Sequence, residues 1–210
     1  MTGYALPGVT TIRYPLDGES AAEDLAARIV AGDRDAFVAV YGAHFAEVKA
    51  FAARVLGSRE AAEDVVHDVF LALPKALRSF RGESSLRTYL LSMAVRSART
   101  RYRAALRRRK HEARAADTYF ARTAGRPDKD AEQHELARLL SVALDALPVD
   151  QRVAFVLCEI EERTSAEVAK ILDENPSTIR ARVFHARKKL RERLSALADP
   201  NGRDGKGERS

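Results

Sequence analysis

Apolar residues recur at spacings of three and four from Ala22 onward, and this period predicts α-helices. Gly57-Ser58 ends one predicted helix, and Ser58 is a suitable N-cap for the next, which covers residues 61–73. We therefore expect an all-α fold. The apolar stripe of the helix that spans Asp33 to Leu56 is interpreted as core, and its members are Phe37, Val40, Tyr41, Phe45, Val48, Phe51 and Val55.

A polar loop at 79–85 precedes another predicted helix, which is apolar in its first half and basic in its second. Eight cations and no anion lie between Arg96 and Lys110. An acidic cluster lies just upstream, formed by Glu60, Glu63, Asp64 and Asp68. This division of charge favours one surface for DNA and another for protein.

The segment 164–194 has the pattern of a helix-turn-helix. Thr164 and Glu167 have the spacing of a capping box, which starts one helix. Asn175 is a good N-cap and Pro176 suits a first helical position, so a second helix is predicted to start after a short turn.

The second of these helices divides into an apolar stripe and a cationic surface. The stripe contains Ile179, Val183, Ala186, Leu190, Leu194 and Leu197. Phe184 lies roughly opposite the stripe, where a helix that only faces solvent seldom places a phenyl ring. We predict contact with duplex DNA, and an ordinary solvated surface helix is the alternative. The other faces carry Arg180, Arg182, His185, Arg187, Lys188, Lys189, Arg191 and Arg193.

The chain of 210 residues is long enough for two small domains, and Gly125-Arg126-Pro127 lies in a polar stretch typical of a linker. We predict two helical domains joined by this flexible linker. The predicted segments are a flexible extension at 1–21, a first domain at 22–110, a linker at 111–134, a second domain at 135–198 and a disordered tail at 199–210.

Composition narrows the classes of function. The net charge of +6 favours an acidic partner, with nucleic acid as the first candidate. The single cysteine, Cys158, excludes an internal disulfide and fits a reducing compartment, and neither a membrane span nor a signal peptide is evident. We expect a cytoplasmic protein. The five histidines are scattered and no catalytic arrangement stands out, so we expect no metal, no cofactor and no enzymatic activity.

The order of the segments resembles the sigma-70 family in its extracytoplasmic-function (ECF, group IV) form. Residues 63–109 resemble region 2, with matches at Asp64-Val65-Val66, Phe80-Arg81-Gly82-Glu83-Ser84 and Ala94-Val95. Residues 144–194 resemble region 4, with matches at Leu147-Pro148, Gln151-Arg152, Val168-Ala169, Thr178-Ile179-Arg180 and Ala186-Arg187.

The resemblance implies a promoter-specificity subunit of bacterial RNA polymerase that binds the clamp helices of the largest subunit and the flap tip of the second-largest. It also implies a cognate anti-sigma factor. The residues that match the polymerase-binding surface are Asp64, His67, Asp68 and Leu71. Those that match the part capturing the single-stranded minus-10 element are Phe80, Arg81, Ser84, Ser85, Arg87, Tyr89, Arg96, Arg99 and Arg103, where Phe80 and Tyr89 are equally compatible with core packing. Those that match the minus-35 recognition helix are Ser177, Thr178, Arg180, Arg182, Phe184, His185, Arg187 and Lys188.

Several positions depart from the family pattern. Tyr89 replaces a common Trp, Arg96 an Asn and Glu162 a Gly, while Asp173, Asn175 and Ser177 replace the commoner Gly, Pro and Gly of the turn. A long cation does not reproduce the donor and acceptor pair of an amide, so Arg96 changes the expected minus-10 base preference.

Two classes of protein other than a sigma factor also fit the pattern, namely a helix-turn-helix regulator and a protein-binding adaptor. An ordinary helix-turn-helix regulator is expected to be a dimer that binds an operator tightly by itself. A sigma factor is expected to be a monomer with little promoter affinity until polymerase is present. A protein-binding adaptor is the third class, and it leaves the basic tract at 96–110 without a purpose.

Overall fold

The computed structural model describes residues 19–115 and 143–198. All regular elements in these two ranges are helical, which confirms the all-α prediction. A 3₁₀ turn at Leu77–Ser79 follows the third helix, and a π turn at Val156–Ile160 continues the fifth. Residues 143–145 are also helical. The α-helices described over their whole length are α1 Glu19–Val30, α2 Arg34–Leu56, α3 Arg59–Ala76, α4 Leu86–Ala115, α5 Val149–Phe155, α6 Ser165–Leu172 and α7 Pro176–Ala198.

Local capping sets the boundaries of α2 and α3. The Asp33 carboxylate accepts hydrogen bonds from the first backbone amides of α2. Gly57 ends that helix with φ +67°, a left-handed conformation that glycine adopts without steric cost. The Ser58 hydroxyl then accepts a hydrogen bond from the Ala61 amide at 3.2 Å, which confirms the predicted break and cap.

Two boundaries differ from those predicted. Helix α1 begins at Glu19, within the predicted extension at 1–21, and α4 continues to Ala115, past the predicted start of the linker at 111. Arg, Ala and Glu are good helix formers, and no Gly or Pro interrupts α4 over these residues. The remainder of the predicted extension (1–18), residues 116–134 of the linker and the tail at 199–210 lie outside the described residues.

Helices α1 to α4 pack around a core that contains the wholly buried side chains Val40, Phe51, Leu73 and Leu90. The second group of helices, α5 to α7, buries Val153, Leu157, Val168 and Ile179 in the same way. Burial of this many aliphatic side chains is the main stabilising term in each group.

The two groups of helices pack against each other, and most of their buried residues form one continuous apolar cluster. A second, smaller cluster lies within the second group and contains Ala143, Leu144, Leu147, Ala186 and Leu190. Arg152 of α5 lies at this junction and is wholly buried. Its Nη1 lies 2.6 Å from a carboxylate oxygen of Asp145, and its Nε donates to the Arg54 carbonyl of α2 at 3.3 Å. The Tyr102 hydroxyl of α4 likewise donates to the Leu147 carbonyl at 3.3 Å.

Candidate nucleic-acid interface

Helices α6 and α7 form the predicted helix-turn-helix. Thr164 and Glu167 make the reciprocal hydrogen bonds of a capping box, and α7 begins at Pro176, so both predicted helix starts are confirmed. Asp173 closes α6 with φ +53°, which lets the Glu174 amide donate to the Ala169 carbonyl at 2.9 Å. The turn forms without the glycine that is common in the family at Asp173, because Asp tolerates the left-handed region better than most residues.

The inner face of α7 holds the helix on its neighbours, and the outer face is open to a ligand. Ile179, Val183 and Ala186 are buried, as the apolar stripe predicted. Phe184 is 66% exposed on the outer face, and its ring lies edge-on to His185 with 5.6 Å between centroids. The other exposed residues of the predicted minus-35 set on α7 are Ser177, Arg180, His185, Arg187 and Lys188, while Thr178 is half-buried.

Two cations of the predicted minus-35 set are paired with carboxylates of the same domain. Arg182 Nη1 lies 2.8 Å from Oε1 of Glu174, in the turn. The guanidinium of Arg187 contacts both carboxylate oxygens of Glu159 at 2.8 Å. Arg182 and Arg187 are therefore each held by a carboxylate of their own domain in this structure.

The loop between α3 and α4 forms a pocket of about 370 Å³. The rings of Phe80 and Tyr89 pack edge to face on one side of it, with 5.1 Å between their centroids and 65° between their planes. The Tyr89 hydroxyl donates a hydrogen bond to the Ala76 carbonyl at 2.9 Å. Both rings are half-buried, so each packs against the core and also faces the pocket. The pocket is lined by Ser79, Phe80, Arg81, Glu83, Ser84 and Tyr89.

The other predicted minus-10 residues follow along α4. The Ser85 hydroxyl accepts a hydrogen bond from the Thr88 amide at 3.2 Å, which makes Ser85 the cap of this helix. Arg87 Nε lies 2.9 Å from both carboxylate oxygens of Glu47. Arg96 and Arg103 are exposed, whereas the Arg99 side chain is only 18% exposed.

A groove between α2 and α3, of about 650 Å³, lies on another surface of the first helical group. Tyr41 is 38% exposed there, and its ring lies 4.7 Å from that of Phe70. The expectation that the whole α2 stripe is core is therefore wrong for Tyr41 and incomplete for Phe37 and Phe45. Positions 37, 41 and 45 are four residues apart and form a row rotated away from Val40, and this offset was the signal that sequence reasoning missed.

The predicted polymerase-binding residues surround this groove. Leu71 is 71% exposed, which is unusual for a large aliphatic side chain, and His67 is also exposed. Asp64 and Asp68 are bridged by Arg101, whose Nη1 and Nη2 lie 2.7 Å and 2.6 Å from their carboxylate oxygens. This bridge partly neutralises the predicted acidic surface.

No group of three or more His, Cys, Asp and Glu side chains in the described parts of the chain is arranged to hold a metal ion. Cys158 is a free, half-buried thiol, and burial raises its pKa. Among the helices of residues 19–115 and 143–198, none is both long and apolar enough to cross a membrane.

Comparison with known proteins assigns both helical groups. Residues 40–110 match the family model of sigma-70 region 2, and residues 137–190 match that of sigma-70 region 4. The ECF RNA polymerase sigma-E factor of Haemophilus influenzae is 30% identical over 180 residues, which cover 82% of this chain and 95% of that protein. The sigma-E factor of Escherichia coli K12 is 29% identical over 181 residues, 82% of this chain and 94% of that protein.

Two solved structures are similar in fold. CnrH in complex with the cytosolic domain of CnrY has a TM-score of 0.59 and 28% identity, and the match covers 86% of this chain and 98% of that one. The sigma factor RpoE of Bartonella quintana, in complex with the anti-sigma factor NepR, has a TM-score of 0.52 and 26% identity. The match covers 71% of this chain and 90% of that one. The chain therefore belongs to the ECF group of the sigma-70 family, and it is a sigma factor of transcription initiation.

Proposed function

We propose that this sigma factor recruits core RNA polymerase to promoters through three separate surfaces. The groove between α2 and α3 binds the polymerase, the pocket before α4 captures the minus-10 strand, and the outer face of α7 recognises the minus-35 duplex. The domain boundaries that accompany this proposal are 19–115 for region 2, because α1 and α4 extend the predicted 22–110 at both ends, and 135–198 for region 4. The observation that supports it most directly is the exposed ring of Phe184 among cations on a helix whose opposite face is buried.

At the minus-35 element, α7 is proposed to enter the major groove. Arg180 has the planar, bidentate donor geometry that recognises guanine, and Phe184 is placed to contact a thymine methyl group. Ser177 and Thr178 lie in the first turn of α7, where hydroxyls and backbone amides bind phosphate. His185, Lys188 and, after exchange of their carboxylate partners, Arg182 and Arg187 complete the surface.

At the minus-10 element, the pocket beside Phe80 and Tyr89 is proposed to hold an unpaired base. Aromatic rings stack on bases of any sequence, and Arg81 and Ser84 at the pocket edge offer hydrogen-bond donors. The residues that then follow the strand along α4 are Ser85, Arg87, Arg96, Arg99 and Arg103. Strand opening would be driven by this binding energy, without an enzymatic activity of the protein itself.

The polymerase surface is proposed to combine the aromatic groove with Asp64, His67, Asp68 and Leu71. Exposed apolar side chains surrounded by polar groups are typical of protein interfaces. The expected partner is the pair of clamp helices of the largest subunit, with the flap tip of the second-largest subunit bound to region 4.

We also propose control by an anti-sigma factor in the cytoplasm. The similar RpoE structure contains the anti-sigma factor NepR, and 90% of that chain is covered by the match. The groove between α2 and α3 is an apolar surface that such a partner would compete for.

A transcription assay tests the proposal. Purified core polymerase is supplied with a pool of genomic promoter fragments, with and without the protein, and new start sites are mapped. We expect discrete start sites that require the protein and that weaken by about tenfold with Arg180→Ala, the cost of one bidentate base contact. Arg34→Ala, which removes an exposed cation at the start of α2, is the matched control and should leave them unchanged.

The opposite result would be the absence of start sites together with tight binding of duplex DNA by the protein alone. That outcome would indicate a conventional helix-turn-helix regulator.

A further inference from the structure

Ion pairs connect the two helical domains at three points within residues 19–115 and 143–198. Arg54 of α2 pairs with Glu161, which follows the π turn. Arg163 Nη2 lies 2.5 Å from Oε1 of Glu47, and the Arg163 side chain is only 9% exposed. These pairs lie at the edge of a continuous apolar contact, where partial burial makes charge interactions stronger than on an open surface.

The third point involves Arg99, which belongs to the proposed minus-10 surface. Its Nε lies 2.9 Å from Oδ1 of Asp150 in α5, and its Nη2 lies 4.0 Å from Oε1 of Glu174 in the helix-turn-helix. The same Oε1 of Glu174 accepts a hydrogen bond from Arg182 on α7. One carboxylate of the second domain therefore lies next to cations of both proposed DNA-binding surfaces.

Two of the three nitrogens of the Arg99 guanidinium lack a hydrogen-bond partner within the described parts of the chain. Its Nε and Nη2 are buried, and neither has hydrogen-bond geometry to any of the described residues. A buried guanidinium in this state has lost its water without full compensation, whereas a phosphate would satisfy it bidentately. The contact is therefore suited to exchange with a nucleic-acid backbone.

Two residues of the domain contact each follow a residue whose backbone is in the left-handed region. Glu162 and Asp173 have φ of +54° and +53°, and each directly precedes a residue of the domain contact, Arg163 and Glu174. Left-handed backbone at a residue other than glycine is costly, and the surrounding structure must maintain it. Arg163, which follows Glu162, contacts Glu47 across the domain boundary.

We propose that these contacts form an interdomain latch in the free protein, made of Arg54–Glu161, Glu47–Arg163 and Arg99 with Asp150 and Glu174. The latch holds region 4 against region 2 and keeps Arg99 from the minus-10 strand until the domains separate. The groove between α2 and α3 stays open in the latched form, since Leu71 is exposed, so polymerase has access before the latch opens. The role of Arg99 at DNA rests on the proposed function.

The accessibility of Arg99 tests the latch in the full-length free protein. Phenylglyoxal modifies exposed guanidinium groups, and mass spectrometry compares Arg99 with Arg103, an exposed reference on the same helix. We expect Arg99 in the native chain to react at least about fivefold more slowly than Arg103. Arg54→Glu places two carboxylates side by side and should raise the Arg99 rate by about fivefold, together with the radius of gyration in X-ray scattering.

Two further variants serve as controls. Arg54→Glu combined with Glu161→Arg restores the pair with reversed charges and should return Arg99 to its native rate. Lys49→Glu makes the same change in charge on the same helix but breaks Lys49–Glu63, an ion pair within region 2, and should have no effect. If circular dichroism shows that Arg54→Glu loses helical content, the milder Glu161→Gln is used in its place. We then expect the rate of Arg99 modification to rise by about twofold.

The latch is overturned if Arg99 reacts as fast as Arg103 in the native chain, or if breaking Arg54–Glu161 leaves the Arg99 rate unchanged. These measurements use neither polymerase nor promoter. Failure of the proposed function would appear separately, as start sites unchanged by Arg180→Ala while the Arg99 rate still responds to Arg54→Glu as expected.

Discussion

Replacing Glu162 with glycine is expected to stabilise the protein. Glu162 has φ +54° at the end of the π turn, where the chain reverses and the Arg163 amide donates to the Leu157 carbonyl at 3.1 Å. A residue with a Cβ pays about 1–2 kcal/mol for the left-handed region. Glycine avoids this cost but loses about 0.4–1 kcal/mol through its greater freedom in the unfolded chain. The difference between the middle values of these two ranges favours Glu162→Gly by about 0.8 kcal/mol.

Thermal unfolding followed by circular dichroism measures this difference. For a chain of this size 1 kcal/mol corresponds to about 2–4 °C in Tm, so we expect a rise of about 1–4 °C. Glu162→Ala is the matched control, because it removes the same side chain but keeps the Cβ and should show no rise. Asp173→Gly should give a smaller gain, since Asp tolerates this conformation better. If Glu162→Gly is no more stable than Glu162→Ala, the backbone argument is wrong.

Two other predictions concern local structure near the proposed surfaces. Gly82 has φ +69° in the minus-10 loop, and a Cβ there would displace the flexible, exposed side chain of Glu23. Gly82→Ala should destabilise the protein by about 0.5–1 kcal/mol in urea unfolding, because the left-handed cost of about 1–2 kcal/mol exceeds the gain of about 0.4–1 kcal/mol from the stiffer unfolded chain, and equal stability would contradict this. Thr164→Ala removes the cap of α6 and should lower the free energy of unfolding by about 1 kcal/mol at neutral pH. Hydrogen bonds from Thr164 lower the pKa of Glu167, so this carboxylate stabilises the fold above the ordinary glutamate pKa and loses that contribution as pH falls through the lowered value. The loss of free energy of unfolding caused by Thr164→Ala should therefore become smaller in acid. A loss that does not change with pH would count against the capping box.

Features that depend on neighbouring residues in the chain were predicted well. The break at Gly57-Ser58 and the capping box of Thr164 and Glu167 are confirmed, because a cap is made by residues within one helical turn. The exposure of Phe184 also followed from its position opposite the apolar stripe of one helix. The prediction that the whole apolar stripe of α2 is core was less reliable. The helix buries the row that contains Val40, while the neighbouring row of Phe37, Tyr41 and Phe45 lines the groove.

The proposed site, too, was predicted only in part from the sequence. Sequence reasoning named Phe80 and Tyr89 without deciding between core and binding site, and the structure places both rings in a half-buried position where they serve as both. It also named Arg99 as one cation among many. Only the fold shows that Arg99 is largely buried between domains, while Arg96 and Arg103 on the same helix are exposed.

The sequence by itself determined the helices, their caps, the division of α7 into an inner and an outer face, and membership of a family with two DNA-binding domains. Each of these depends on spacing within a few turns, where the helical period relates sequence to geometry directly. Tertiary structure alone decided that Arg54 meets Glu161 and that Glu47 meets Arg163, across more than a hundred residues of chain. Such pairs form because the apolar faces of two domains pack together, and no local pattern specifies which charges that packing brings into contact.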